Sequence, residues 1–237
     1  MRKPIIVVEN LAKTFGGITV LDDINMQINE GEMVAIVGES GCGKTTLLNI
    51  LGLISLPTSG SYTIKGKNIR NINTKDAMLL RRHTIGYLFQ NFGLVEDETV
   101  EWNLKLAYAY KKTNKKLQRK EMENLLNEFQ LADKLKNKVY QLSGGEQQRL
   151  ALIKLMIKDC EIILADEPTG SLDETNRDLV IHKLIDMNKH NKTIIIVTHD
   201  MHVAHSCQRI IKLRKTKDNF TKERNNSRYQ KNHPYLV

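Results

Sequence analysis

"MVAIVGESGCGKTTLLNI", Met33 to Ile50, changes character twice within one short stretch. The apolar run MVAIV is too short for a helix and predicts a strand covered on both faces, as in a parallel sheet. A glycine-punctuated loop follows, and from Lys44 the pattern KTTLLNILGLI predicts a helix. The loop, GESGCGKTT from Gly38 to Thr46, fits G-x-x-x-x-G-K-[ST] and stands between a strand and a helix, as its mechanism requires. Gly38, Gly41 and Gly43 allow backbone angles that turn successive N–H groups towards one anion. The helix N-terminus adds partial positive charge. In such a loop Lys44 reaches the β- and γ-phosphates of a nucleotide, and the Thr45 hydroxyl ligates Mg²⁺. Cys42 needs only to be small there; the helix end also predicts a reactive thiol, whose alkylation blocks nucleotide binding and which bound ATP protects.

Two more apolar runs, in EIILADEP and TIIIVTHD, predict strands separated by a helical interval. Strand and helix in alternation imply an α/β fold with a parallel sheet. Ahead of Met33, the segment IIVVENLAKTFGGITVLDDINMQINEGE reads as short β-rich pieces broken by glycine and acidic turns, and GSYTIKGKNI as a hairpin around Gly66. From about Asn91 to Leu155 the pattern turns helical, with Leu117, Met122, Leu125, Leu126 and Phe129 assigned to one face. That block is expected to be an insertion into the α/β core. The expected division is a core segment with a β subdomain at 1–89, a helical subdomain at 90–155, a second core segment at 156–213 and a basic tail at 214–237.

The first of these strands ends in two consecutive carboxylates. Asp166 is expected to hold Mg²⁺, and Glu167 to polarise a water for attack on the γ-phosphorus, a base role worth about 10²- to 10⁴-fold in rate. The second ends in His199, placed to hydrogen-bond the γ-phosphate. His202 and His205 follow at a spacing that drifts around a helix, which favours surface residues over a metal cluster. Gln90 closes the hydrophobic run YLFQ where the helical block begins, and its amide can bind Mg²⁺ or the attacking water. A second glycine pair, in YQLSGGEQQRL (Tyr140 to Leu150), opens a helix-forming run far from the phosphate loop. It also suits an anion, or serves as a plain helix cap.

The whole chain has 237 residues, 41% of them hydrophobic, and a net charge of +9. Such a chain can bury a core of its own. The basic excess is local, at Lys111, Lys112, Lys115, Lys116, Arg119, Lys120 and the tail, and reads as solvated faces or a membrane-adjacent surface. No apolar run reaches the length of a membrane span, and the start MRKPIIVVEN carries no secretory pattern. Cys42, Cys160 and Cys207 are scattered and odd in number, which fits a reducing cytoplasm.

Taken together, these motifs resemble those of the ATP-binding cassette (ABC) ATPases from about Val7 to Leu213. In order they are GESGCGKTT as Walker A, Gln90 as the Q-loop, LSGGEQQR as the signature, IILADE as Walker B, SLD as the D-loop and His199 as the switch histidine. The resemblance implies a RecA-like phosphate-loop NTPase core with an antiparallel β subdomain and an inserted α-helical subdomain. It implies that Glu39, Ser40, Cys42 and Thr46 join the loop glycines and Lys44 around ATP, with Phe15 in place of the family's adenine-stacking aromatic. It further implies that two cassettes pair head to tail, as a homodimer or with another cassette. Ser143, Gly144, Gly145, Glu146 and the D-loop Asp173 of each would then serve the ATP held by its neighbour. Lys154 stands at a position usually arginine, and KNKVYQ lacks a common proline.

QNFGLVEDETVEWNL and ADEPTGSLDE are similar to the macrolide-efflux and lipoprotein-release branch, and within it to lactococcin-type bacteriocin export ATPases. With no membrane span in the sequence, a separate permease is expected, docking beside the Q-loop at Phe92, Leu94, Val95 and Trp102, with the chain held at the cytoplasmic face of the membrane. The alternative is a non-transporting ABC ATPase that regulates a membrane protein. No nucleic-acid partner is expected, since the chain has neither long coiled coils nor tandem cassettes.

Overall fold

The computed structural model describes residues 3–170 and 172–216. Among the described residues nine strands fall into two sheets. In the first, β1 (Pro4–Phe15) pairs antiparallel with β2 (Ile18–Asn29) and with β4 (Ser59–Ile64), and β4 pairs with β5 (Lys67–Asn68) around Gly66. Where short pieces were expected, β1 and β2 run twelve residues each. Their breaks in pattern are register shifts instead of chain reversals, and Asn10 and Asp23 absorb them at φ 48° and 47°.

The second sheet is parallel, in the order β6 (Ile85–Leu88), β7 (Ile162–Asp166), β8 (Thr193–Thr198), β3 (Met33–Val37), β9 (Arg209–Lys212). Its central strands β3, β7 and β8 are buried along their whole length, which is why they read as unbroken apolar runs. Alternate residues still go to different faces. Val34, Ile36, Ile162, Leu164, Ile195 and Val197 face the antiparallel sheet and α1 (Lys44–Leu51). Met33, Ile163, Ala165, Ile194 and Ile196 face the other helices. Every strand of this sheet is parallel to its neighbours, so β3, β7 and β8 all end on one side, where Gly38, Asp166–Glu167 and His199 lie.

Between β6 and β7 the chain forms α3 (Val100–Ala107), α4 (Lys115–Glu128) and α5 (Gly144–Lys158), with 3₁₀ turns at Ala132–Lys134 and Val139–Gln141. Residues 91–99, expected to be helical, are turns; Thr99 caps α3 by accepting from the Trp102 N–H. The expected apolar face of α4 holds for Met122, Leu126 and Phe129 but not for Leu117, which is 56% exposed. At 100° per residue Leu117 lies roughly 140° round the helix from Met122, so it never belonged to that stripe. Ahead of β6 lies α2 (Lys75–His83), after β7 comes α6 (Glu174–Lys189), and α7 (Met201–His205) follows β8. The antiparallel sheet, the parallel core and the helices between β6 and β7 together make the expected α/β cassette fold. Of the basic tail expected from residue 214, residues 217–237 lie outside the described residues. Thr216, still described, donates its hydroxyl to the Thr19 carbonyl.

Candidate active site

The loop between β3 and α1 is built around a steric constraint. A Cβ at Gly38 would stand 2.5 Å from the Leu213 carbonyl and 2.6 Å from Cys42 Sγ. Gly43 adopts φ 96° as the N-cap of α1, and a Cβ there would meet Leu21 Cδ2 at 2.7 Å. The helix begins with no side-chain cap and no acidic residue in its first turn, so its amino end keeps its positive potential. Lys44 folds back over the loop and donates to the Gly38 and Glu39 carbonyls, at 2.8 and 3.1 Å. Lys44 is thus buried within the loop, its ammonium a donor set ready to exchange carbonyls for phosphate oxygens.

Cys42 is 1% exposed, with its thiol turned inward and its N–H on the Glu39 carbonyl. A side chain so enclosed is filler, which corrects the expectation of a reactive thiol: a bulky alkylating agent has no path to it.

Opposite the loop, the Thr45 hydroxyl donates to Asp166 Oδ1 at 3.2 Å. Burial at the end of β7 pushes the Asp166 carboxyl up, an effect the Thr45 bond opposes and the Glu167 charge reinforces. A hydroxyl and a carboxylate oxygen side by side, with the Gln90 amide on the same cavity, are the hard-oxygen donors that suit Mg²⁺.

Glu167 takes φ 45°, an uncommon conformation for a non-glycine residue, and its N–H is held by the Val197 carbonyl. The turn aims its carboxylate across to the end of β8. There the Thr198 hydroxyl donates to Oε2 at 3.1 Å, and His199 Nδ1 lies 2.8 Å from Oε1. The acid and the histidine, expected to face a phosphate separately, are joined to each other. Thr198 was not foreseen; its only signal was a hydroxyl residue beside His199 at a strand end.

One cavity of about 760 Å³ is lined by Ser40, Gly41, Gly43, Lys44, Thr45, Thr46, Gln90, Glu167 and His199. Val20, Thr169, Gly170, Leu172, Arg177 and Asp200, which sequence reasoning missed, complete its wall. Gly38, Glu39, Cys42 and Asp166 are not part of that lining. Phe15 is not part of the lining; its ring is 51% exposed at the end of β1, with Lys13 Nζ 4.7 Å from its centroid.

Ser143, Gly144, Gly145, Glu146 and Asp173 are likewise absent from the lining. Ser143 caps α5: its Oγ accepts from the Glu146 N–H, and Glu146 Oε2 accepts from the Ser143 N–H at 2.8 Å. That bond holds the Glu146 carboxyl below its usual range, so Glu146 acts on its own helix. Ser143 and Gly144 are exposed, and a Cβ at Gly144 would touch nothing within 4 Å. Asp173 caps α6 by accepting from the Asn176 N–H. Ser171 lies outside the described residues.

Phe92 and Leu94 are half-buried against the helical core, whereas Val95 and Trp102 are exposed. Beside them a smaller cavity, about 260 Å³, is lined by Tyr87, Phe89, Phe92 and the stems of Lys154 and Lys158. Desolvation lowers the pKa of both lysines, whose ammoniums donate to the Gly93 carbonyl and to those of Arg81 and Ile85. His202 and His205 are exposed on α7.

A phosphate-binding loop, an oxygen pair for a hard cation and an acid–histidine couple on one edge of a parallel sheet define a phosphate-loop nucleoside triphosphatase. The family model for ABC transporters matches residues 21–170, and the chain belongs to that family, as an ATP-binding cassette. It is 39% identical over 213 residues to the macrolide export ATP-binding/permease protein MacB of Bartonella quintana, covering 88% of this chain and 32% of that protein. With MacB of Shewanella sp. (strain ANA-3) the identity is 40% over 218 residues, covering 90% and 33%. The chain thus spans about a third of the length of these curated relatives. Among solved structures, the dimeric ABC transporter cassette MJ0796 is 36% identical, with a TM-score of 0.81 over 88% of this chain and 94% of that one. The same cassette in a post-hydrolysis state bound to ADP and Pi gives 34% and 0.80. The cbiO1 cassette of Clostridium perfringens, part of the transporter complex cbiONQ, gives 26% and 0.76. Among the described residues no helix is long and apolar enough to cross a membrane.

Proposed function

We propose that this chain is the ATP-hydrolysing subunit of an ABC exporter, working as a head-to-tail pair, with itself or with another cassette, and driving a separate permease. The observation that carries the reading is the division of the anion-binding chemistry. The cavity holds the phosphate loop, Glu167 and His199, while the exposed amino end of α5 at Ser143 and Gly144 lies outside it. A second copy facing the cavity brings its own Ser143, Gly144 and Gly145 amides to the phosphate that this cavity leaves open.

In this reading Lys44 and the amides from Ser40 to Thr46 bind the phosphates, and Phe15 presents its open ring to the adenine. Thr45, Asp166 and Gln90 would hold Mg²⁺, which would offset the negative charge of the phosphates. Glu167, fixed by Thr198 and His199, accepts the proton of the water attacking the γ-phosphorus; His199 then has its other ring nitrogen free to reach the phosphate. Asp173 belongs to the face that meets the partner. The chain divides functionally as 1–89, 90–155 and 156–213, the middle part carrying Ser143 towards or away from a neighbour.

The permease docks beside Gln90, on Val95, Trp102 and the groove of Tyr87, Phe89 and Phe92, holding the chain at the cytoplasmic face of the membrane. The exported substrate is a peptide, lipophilic or antimicrobial molecule of the bacteriocin or macrolide kind, a choice supported by the MacB likeness and by QNFGLVEDETVEWNL. Replacing Glu167 with Gln keeps the Thr198 contact and removes the base. With ATP and Mg²⁺ that variant is expected to form a dimer stable to gel filtration and to turn over at least about a hundredfold more slowly. A variant that stays monomeric at every ATP concentration contradicts the proposal.

A further inference from the structure

Two neighbouring side chains of α5 reach away from the helix and grip one loop at both its ends. Gln148, 2% exposed, donates Nε2 to the Pro168 carbonyl at 2.7 Å. Arg149 donates Nη1 to Asn176 Oδ1 at 2.5 Å. Asn176 passes the contact on, because its Nδ2 donates to Asp173 Oδ2 at 2.6 Å and its backbone N–H to Asp173 Oδ1 at 3.0 Å. These bonds hold the exposed Asp173 carboxyl below its usual range. Asn176 also abuts the amino end of α5: a Cβ at Gly145 would stand 2.8 Å from its Nδ2. Between the two grips lie Thr169, Gly170 and Leu172, all on the wall of the cavity.

We propose that Asn176 is a positioning residue that fixes the amino end of α5, with Ser143 and Gly144, to the loop lining the chain's own cavity. The inference rests on the paired-cassette reading given above. Its content is mechanical. A neighbour's phosphate is met by backbone amides whose placement tolerates little error, since displacements near 1 Å cost about a hundredfold. Arg149 is a long side chain, and its buried Nε has no hydrogen-bond partner of its own. Asn176 converts it into a fixed strut, by accepting from it while anchored through two bonds to Asp173.

The test uses the whole chain of 237 residues. Asn176→Ala removes the strut without touching the phosphate loop. It is expected to leave binding of a fluorescent ATP analogue to the isolated chain within about twofold of wild type, and to lower kcat at saturating ATP by about tenfold. Arg149→Ala breaks the same strut, so the double variant should be no slower than the slower single. Hydrogen exchange supplies a readout independent of turnover: the first-turn amides of α5 should exchange faster in Asn176→Ala than in wild type. A wild-type protein that neither turns over nor dimerises overturns the paired-cassette reading and this inference with it. Normal wild-type turnover with an unchanged kcat in Asn176→Ala, unchanged exchange, or losses that multiply in the double variant overturns the strut alone.

Discussion

Asp166 shows at a single residue how the site is bought at the expense of stability. Its carboxyl is pushed up chiefly by burial, so the fold disfavours its charged form. A folded-state pKa above the unfolded one means that the ionised group opposes folding at neutral pH, and that this opposition fades as pH falls through the folded value. Asp166→Asn keeps an oxygen for the Thr45 hydroxyl and removes the charge. We expect its melting temperature, measured without nucleotide or Mg²⁺ at neutral pH, to rise by about 2–4 °C, with ATP turnover abolished. An unchanged or lower melting temperature contradicts this account. Asp166, Glu167, Lys44 and Thr45 were legible from sequence because fixed spacing in a loop, or adjacency at a strand end, dictates their neighbourhood. Thr198 and Asn176 were not, since each meets a partner across elements far apart in the chain, Thr198 31 residues from Glu167 and Asn176 27 from Arg149. The inward turn of Cys42 was equally hidden, because residue type does not say which side of a loop a side chain takes.

At the scale of the element, the amino end of α5 is the feature with two explanations. Ser143 and Glu146 form a capping box that accounts for the local chemistry without any ligand. Aspartate caps as well as serine, so Ser143→Asp is expected to keep the melting temperature within about 1 °C, where Ser143→Ala loses about 1 kcal/mol. The same variant sets a carboxylate against an incoming phosphate, and we expect its ATP turnover to fall at least about a hundredfold. Turnover that survives Ser143→Asp would leave the cap as the helix's whole business. Elements were legible here in proportion to their burial. β3, β7 and β8 are covered on both faces and announce themselves as apolar runs. β9, with Arg209 and Ile210 exposed, carries no such run and is recognised only by its place beside β3. α4 was found but misphased at Leu117, whose spacing from Met122 already sets it about 140° round the helix, off the buried stripe.

The whole molecule leaves the amino end of α5 exposed and outside the cavity that the amino end of α1 lines. Strand order set this outcome. β3, β7 and β8 bring the phosphate loop, Asp166, Glu167 and His199 to a common edge, while α5 arises from the block between β6 and β7. Alternating strands and helices in the sequence implied a parallel sheet, but not that β3 would sit between β8 and β9, which depends on packing over the full chain. If two copies are needed for each completed site, turnover must depend on encounter. At protein concentrations below the dimer dissociation constant, the initial rate of ATP hydrolysis should therefore rise with about the square of protein concentration, becoming linear above it. The inactive Glu167→Gln chain still carries an intact Ser143, so adding it to dilute wild-type protein should raise the wild-type rate. A rate strictly linear in protein down to the lowest measurable concentration, and indifferent to the added variant, would mean that one chain completes its own site, and the division between the cavity and α5 would need another explanation.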